Sequence, residues 1–218
     1  MTEPIDTARN GVLQIASPLA LTTAPSDAPS AAGAAALRIS EARPSALWQL
    51  AGWEDFEAAA HPPLAALGFT DSGDYRRARQ SGAIGLFRLA PDRLWLTADG
   101  PQADAAIEEA CAGAAGPALA VLNLSHSRTR IAVEGDDAEA LLARLAPIDF
   151  SPGAFPIEGF AQTGAHHISV LIHRPQEARF EILTPVTWAR SLWEAICAAA
   201  TPFGYETRRE PAVKDMPV

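Results

Sequence analysis

The sequence predicts an α+β fold in which antiparallel sheets have helices packed on one face. A hairpin followed by an amphipathic helix is legible at residues 84–114 and again at 168–201, which gives two pseudo-repeated subdomains. Hairpins impose antiparallel pairing, because a tight connection cannot reach a parallel neighbour. The glycines at 82 and 85, or at 113 and 116, never assemble into a dinucleotide or phosphate loop, so a doubly wound nucleotide fold is disfavoured.

At 218 residues, 48% hydrophobic and 20% charged, the chain is long enough to bury a core without disulfide or metal staples. Residues 1–36 read as a flexible segment rich in Ala, Pro and Ser. Its stretch 22–36 (TTAPSDAPSAAGAAA) has almost nothing large to bury and cannot offset the entropy of ordering it. The folded domain is expected over 37–205, with 206–218 as a C-terminal tail. Glu3 and Asp6 outweigh Arg9, and Gln14, Ser17 and Pro18 interrupt the mildly apolar run from Gly11 to Leu21, which argues against a secretory signal.

Along the domain, the spacing of Leu47, Leu50, Trp53, Phe56, Leu64 and Leu67 predicts helical pieces between Ser45 and Leu67, broken at Pro62-Pro63. Residues 85–89 and 94–97 read as strands joined across Pro91-Asp92, where proline presets φ and aspartate tolerates the turn. A helix over 103–112 follows, with Ile107, Ala110 and Cys111 on its apolar face. Strands are expected at 118–124 and 129–134. Asp136, three residues before Glu139, has the capping-box spacing and opens a helix through Leu141, Leu142 and Leu145 that Pro147 closes. Residues 168–172 and 179–183 make the second hairpin. Thr184-Pro185 then supplies an N-cap and a first-turn proline to a helix burying Val186, Ala189, Trp193, Ile196, Cys197 and Ala200.

The charge balance, 17 basic against 26 acidic residues for a net −9, with the basic residues scattered, lacks the footprint of a nucleic-acid binder. No apolar run approaches the roughly 20 residues that a spanning helix needs, and Cys111 and Cys197 read as small buried thiols; a cytoplasmic protein with no membrane partner is expected. The single lysine, Lys214, lies near the C-terminus, which argues against a Schiff-base or P-loop lysine. His166 and His167, adjacent on an expected strand, point to opposite faces, and His167 lies about 20 Å from His173 at 3.3 Å per residue. With no HExxH or paired CxxC pattern, no metal ligands are assigned. Ser125 and His126 are neighbours that point apart on an extended chain, and no GxSxG elbow is present. Asp136-Asp137 and Glu108-Glu109 fit helix starts and polar faces. No catalytic or cofactor-binding residue is assigned to this chain.

The most specific signal is a long ordered string. It begins Leu124-Ser125-His126-Ser127-Arg128-Thr129, Gly135, Ala140-Leu141-Leu142-Ala143 and Pro147-Ile148-Asp149-Phe150. It continues through Ala154-Phe155-Pro156, Ala161-Gln162-Thr163, Leu171-Ile172-His173-Arg174, Phe180-Glu181-Ile182 and Ala189-Arg190-Ser191-Leu192-Trp193. Over residues 84–205 the chain resembles the gamma subunit of heterotetrameric sarcosine oxidase, whereas residues 1–83 resemble it only faintly. Asn123, Ala146 and Trp188 depart from the family pattern and bear on the substrate more than on the family.

The resemblance implies a fold similar to the aminomethyltransferase (T-protein) of the glycine cleavage system, and a non-catalytic structural role. It implies alpha, beta and delta subunits as partners, alpha most directly, with FAD, FMN, NAD and tetrahydrofolate held by those partners and none by this chain. Such complexes oxidise the N-methyl group of sarcosine, leaving glycine and a reduced flavin. Related assemblies for N-methylglutamate share these motifs. A stand-alone folate-binding one-carbon enzyme is the alternative from another class, and it would need a polar, acid-lined cavity. Three residues are candidates for a partner interface. Phe155 stands on the Pro-bracketed loop 151–156, with burial under its own loop as the alternative. Arg128 and Arg174 could pair with partner carboxylates, or with carboxylates of their own chain.

Overall fold

A computed structural model describes residues 18–19, 37–42 and 46–209 of the chain. Two sequential units repeat one order of elements. The first is β2 (Ala46–Gly52), α1 (Phe56–Ala66), β3 (Arg79–Ser81), β4 (Ile84–Ala90), β5 (Arg93–Ala98), α2 (Pro101–Cys111) and β6 (Leu119–Asn123). The second is β7 (Arg128–Glu134), α3 (Ala138–Ala143), β8 (Phe160–Ala165), β9 (Ile168–Gln176), β10 (Arg179–Pro185), α4 (Ala189–Ala200) and β11 (Tyr205–Arg209). One further strand, β1 (Leu37–Ala42), precedes both.

The sheets run β3-β4-β5-β2-β6 and β8-β9-β10-β7-β1-β11. Strands β2 to β5 therefore occupy the same places as β7 to β10. Beside β7, however, stands β1 where β2 has β6, and β11 is added outside it as the one parallel pair, Leu37 opposite Tyr205. Among the described residues every other pairing is antiparallel.

Strand alternation sorts the side chains into four layers, helix–sheet–sheet–helix. In the second unit Ile131, Val133, Ile172 and Ile182 face Leu141, Leu142, Leu192, Trp193 and Ile196 of α3 and α4. In the first, Leu50, Leu86, Leu94 and Leu96 face Phe56, Leu64, Ile107 and Cys111 of α1 and α2. The opposite faces meet each other: Leu47, Phe87 and Trp95 of one sheet pack on Phe160, Leu171 and Leu183 of the other. Each sheet thus has helices on one face, as the sequence led us to expect, and its twin on the other.

Several expected elements differ. Residues 46–52 form a central strand, not a helix: Leu47, Leu50 and Trp53 have a three-residue spacing, but pairing on both sides with β5 and β6 prevails over it. The helix after it runs through Pro62-Pro63. Those prolines remove two N–H donors from the helix interior. The capping box at Asp136 does not form. Asp137 is the N-cap, without a side-chain cap bond, and Glu139 is used elsewhere. β10 extends through Thr184-Pro185, and a single 3-10 turn over Val186–Trp188 leads into α4, leaving Val186 half-buried. The expected tail from 206 begins inside β11. Leu19, in the segment read as flexible, is buried in the core of the second unit; the rest of 1–36 lies outside the described residues.

His166 and His167 are not on a strand. They are the two-residue loop between β8 and β9, with φ of 47° and 67°. Positive φ at both central positions is the requirement of a type I′ hairpin, which Asn-Gly meets with less strain than two histidines. Replacing His166-His167 by Asn-Gly is expected to raise the stability measured by urea unfolding by about 1 kcal/mol; a lower midpoint would show that the imidazoles contribute more than the backbone strain they impose.

Candidate functional site

Arg174 and its counterpart Arg88 organise the two units. Arg174, on β9, is 2% exposed. Its guanidinium donates to the carbonyls of Phe150 (3.0 Å), Phe155 (3.1 Å) and Glu177 (2.5 Å), and to the Glu139 carboxylate of α3 at 2.6 Å. It also lies 4.9 Å over the ring of Phe180. Two expected interface residues are therefore internal. The carbonyls of Phe150, just before the loop 151–156, and of Phe155, within it, turn towards the guanidinium, and Phe155 comes with them, to 5% exposure, against Phe150 at 5.4 Å and Phe180 at 6.2 Å. Asp149 anchors the start of this loop by accepting the Ser151 N–H at 2.9 Å, and that bond holds its carboxyl below the usual aspartate value.

Arg88 repeats the device in the first unit. It donates to the carbonyls of Ala90 and Pro91, pairs with Glu57 of α1 at 2.5 Å, and lies 4.8 Å over Phe56. Each arginine sits three residues before the hairpin-loop carbonyl it binds, and each pairs with a glutamate in the first turn of its unit's first helix. Sequence reasoning missed Arg88. The signal was present in the matching offsets of Arg88–Pro91 and Arg174–Glu177 ahead of the two hairpin loops.

Arg128, the third candidate, stands at the start of β7 with its guanidinium 4.9 Å over Trp95. The Trp95 indole N–H donates to Gln49 Oε1 at 3.0 Å. Burial lowers the Arg128 pKa from its ordinary value, and among the described residues no carboxylate pairs with it. Its neighbours on the same sheet face are paired throughout. Asp99, Arg130, Glu181, Arg179, Glu134, Arg38 and Glu206 form one ion-pair chain, with Asp99–Arg130 at 2.8 Å and Arg38–Glu206 at 2.7 Å at its ends. Burial acts to lower the Arg130 pKa, but Glu181 and Asp99 hold it above the ordinary value.

Where the edges of the two sheets meet, Arg77 bridges Gly159, the Ala78 N–H donates to Glu158 O (2.8 Å) and the Phe160 N–H to Arg76 O (2.9 Å). Beside this junction lies an open cleft of about 740 Å³, with Tyr75, Arg76 and Arg77 on one wall and Ile148, Phe155 and Phe160 on the other. Its carboxylates, Asp74 and Asp149, are exposed on the rim. Asp74 accepts the N–H groups of Arg76 and Arg77, both at 2.7 Å. Burial works against ionisation of Asp74, but those two bonds, with Arg79 and Arg77 nearby, leave its pKa lowered.

The other sequence motifs are built into the structure in different ways. The Ser125 hydroxyl donates to Asn123 Oδ1 at 2.6 Å and accepts the Leu47 N–H at 3.1 Å, which ties β6 to β2. His173 is buried edge-on to Phe87 with Nε2 3.2 Å from Glu158 Oε2. Among the described residues no three His, Cys, Asp or Glu side chains come together as a metal site, and no helix is long and apolar enough to cross a membrane. Both cysteines are free and buried; burial raises the Cys111 thiol and takes that of Cys197 up to about 11.

Two outcomes follow from this arrangement. Arg174→Met leaves Glu139 and two buried carbonyls without their donor and is expected to destabilise the chain by about 3–5 kcal/mol, whereas Glu139→Gln, which keeps an acceptor oxygen, is expected to remove only about 1 kcal/mol. Equal losses in urea unfolding would deny the guanidinium its organising role. Neither thiol of the native chain is expected to react measurably with a disulfide reagent at pH 8, and both should react once urea unfolds it. A fast-reacting thiol in the native chain would contradict the burial of Cys111 and Cys197.

Comparison with known proteins places this fold. The GCVT N-terminal domain model matches residues 83–211. The structure of heterotetrameric sarcosine oxidase from Corynebacterium sp. U-96, in complex with pyrrole 2-carboxylate, contains a chain that superposes with a TM-score of 0.72 at 24% identity. That match covers 86% of this chain and 95% of that one. Glycine cleavage system aminomethyltransferase T from Bartonella henselae superposes with a TM-score of 0.52 at 22% identity, covering 79% of this chain but 48% of that one. No curated protein sequence matches. The paired hairpin–helix units are thus the T-protein-like fold, and the chain belongs to the GCVT N-terminal domain family.

Proposed function

We propose that this chain is the non-catalytic gamma-type subunit of a heterotetrameric, flavin-dependent sarcosine oxidase. In this reading it docks on the alpha subunit and supports the oxidative demethylation of sarcosine to glycine by the alpha and beta subunits. FAD, FMN, NAD and tetrahydrofolate belong to the partner subunits. The observation that supports this most is one of extent: the fold matches 95% of a chain of the oxidase heterotetramer at a TM-score of 0.72, but only 48% of the aminomethyltransferase.

The family match itself favours the rival, a folate-binding one-carbon enzyme. Against the rival stands the character of the cleft at the sheet junction. Its two carboxylates, Asp74 and Asp149, are exposed, each with Oδ1 engaged by backbone N–H groups, whereas a pterin edge presents donors that need acceptors inside a closed cavity. A gamma-type subunit of an N-methylglutamate dehydrogenase remains within the same proposal, differing only in the amine that its partners oxidise.

The test is to purify the protein from its native source through a C-terminal tag and record native mass, visible spectrum and N-methyl amino acid oxidation. The expected result is a yellow assembly several times 23.0 kDa that oxidises sarcosine. A colourless chain that stays alone and binds tetrahydrofolate tightly would replace this proposal by its rival.

A further inference from the structure

We propose that Leu19 is a tethered plug. It closes the core of the second unit from outside the continuous domain, and its release opens that core while the first stays shut. This conformational device belongs to the chain itself and does not depend on the subunit reading above.

The two cores differ in where their residues come from. Among the described residues, every buried member of the first lies in the stretch from Ala46 to Leu119. Those of the second lie between Leu37 and Tyr205, with the exception of Leu19. At 1% exposure Leu19 is as deep as Leu37 of β1. A leucine taken wholly out of water is a strong anchor, and deleting such a side chain leaves a cavity that its surroundings fill only in part. Leu19 stands with Pro18 in a turn, outside any strand or helix. Its connection to Leu37 runs through residues 20–36, of which 22–36 have only alanine, proline and small polar side chains to fix them elsewhere. A connection of this composition keeps a released plug at an effective concentration of about a millimolar, so that reclosing is intramolecular.

The order of layers confines the effect. Leu19 belongs to the core that α3 and α4 cover, whereas the core under α1 and α2 lies on the far side of both sheets. Loss of the plug loosens one outer layer, a local opening of the kind that proteins undergo below the free energy of global unfolding. Each layer also has its own reporter. Cys197 of α4 is buried in the second core and Cys111 of α2 in the first, and both are free thiols.

The test follows labelling of the two thiols in the full-length chain under native conditions, each cysteine being read from its own peptide by mass spectrometry. Leu19→Ala is expected to let Cys197 react at least about tenfold faster than Cys111. Leu19→Met, which keeps the volume, is expected to leave both protected. A second measurement keeps Leu19 in place: a protease site inserted after Gly33 is cut in the folded chain, which turns the plug into a separate peptide. Protection of Cys197 is then expected to fall on dilution, with Cys111 unaffected. Equal acceleration of both thiols in Leu19→Ala would make Leu19 a contributor to global stability and overturn the local opening. Thiols as protected in Leu19→Ala as in the wild type, Cys197 protection that is indifferent to dilution of the cut chain, or a folded chain that the protease cannot cut would each overturn the plug.

Discussion

A guanidinium taken out of water needs acceptors for its N–H groups, and Arg174 obtains four by holding three segments in place. Two carbonyls come from the loop after α3, one from the β9–β10 turn, and a carboxylate from the first turn of α3. It ties together polar groups of segments that also meet through Phe150, Phe155 and Phe180 in the core. The loop is otherwise a run of small and turn-forming residues, yet it seals the open end of the second core with Phe150 and Phe155. The same requirement, met by Arg88 with Glu57 and the Pro91 turn, closes the first unit. Each core thus has a polar plug whose charge is satisfied from within, which leaves Arg128 as the odd one among the buried arginines.

How far this could be read from sequence depended on whether a feature was local. Both hairpins and both helices that follow them were legible, because strand alternation, a Pro-Asp turn and an amphipathic stripe all lie within some 30 contiguous residues. The front half of each repeat was legible only in part: β7 and the helix through Leu141 and Leu142 were expected and form, although without the expected capping box, whereas β2 read as helix and α1 runs through two prolines that read as a break. β3 has three residues, and β1 and β11 are defined by partners at least 88 residues away. Their identity as strands is a property of the sheet rather than of their own residues.

The candidate site shows the same division. Phe155 was a reasonable interface residue while the loop was considered alone, since an aromatic between prolines has no obvious place to go. What buries it is the direction of two backbone carbonyls, which no side-chain pattern reports. Arg174 was named as an ion-pair former and is one, but with Glu139, a residue that sequence spacing had assigned to a helix cap. The two readings competed for one carboxylate, and a buried cation has the stronger claim on it than an exposed N–H. Arg128 differs because its guanidinium meets one aromatic face, that of Trp95, and no carboxylate of the described residues, which composition cannot distinguish from a pair.

The position of β1 between β7 and β11 has a consequence for the order in which the molecule can assemble. The first unit is continuous from β2 to β6, so its sheet can close as soon as that stretch has been synthesised. The second sheet must combine the strand that begins at Leu37 with the one that ends at Arg209, and pairs such as Arg38 with Glu206 span 168 residues. Its outermost ladder cannot form until Tyr205–Arg209 has been synthesised, and it must then close a loop of 168 residues. Until that moment β1 waits beside a finished neighbouring unit with one edge unpaired, which makes the final strand the latch of the whole fold.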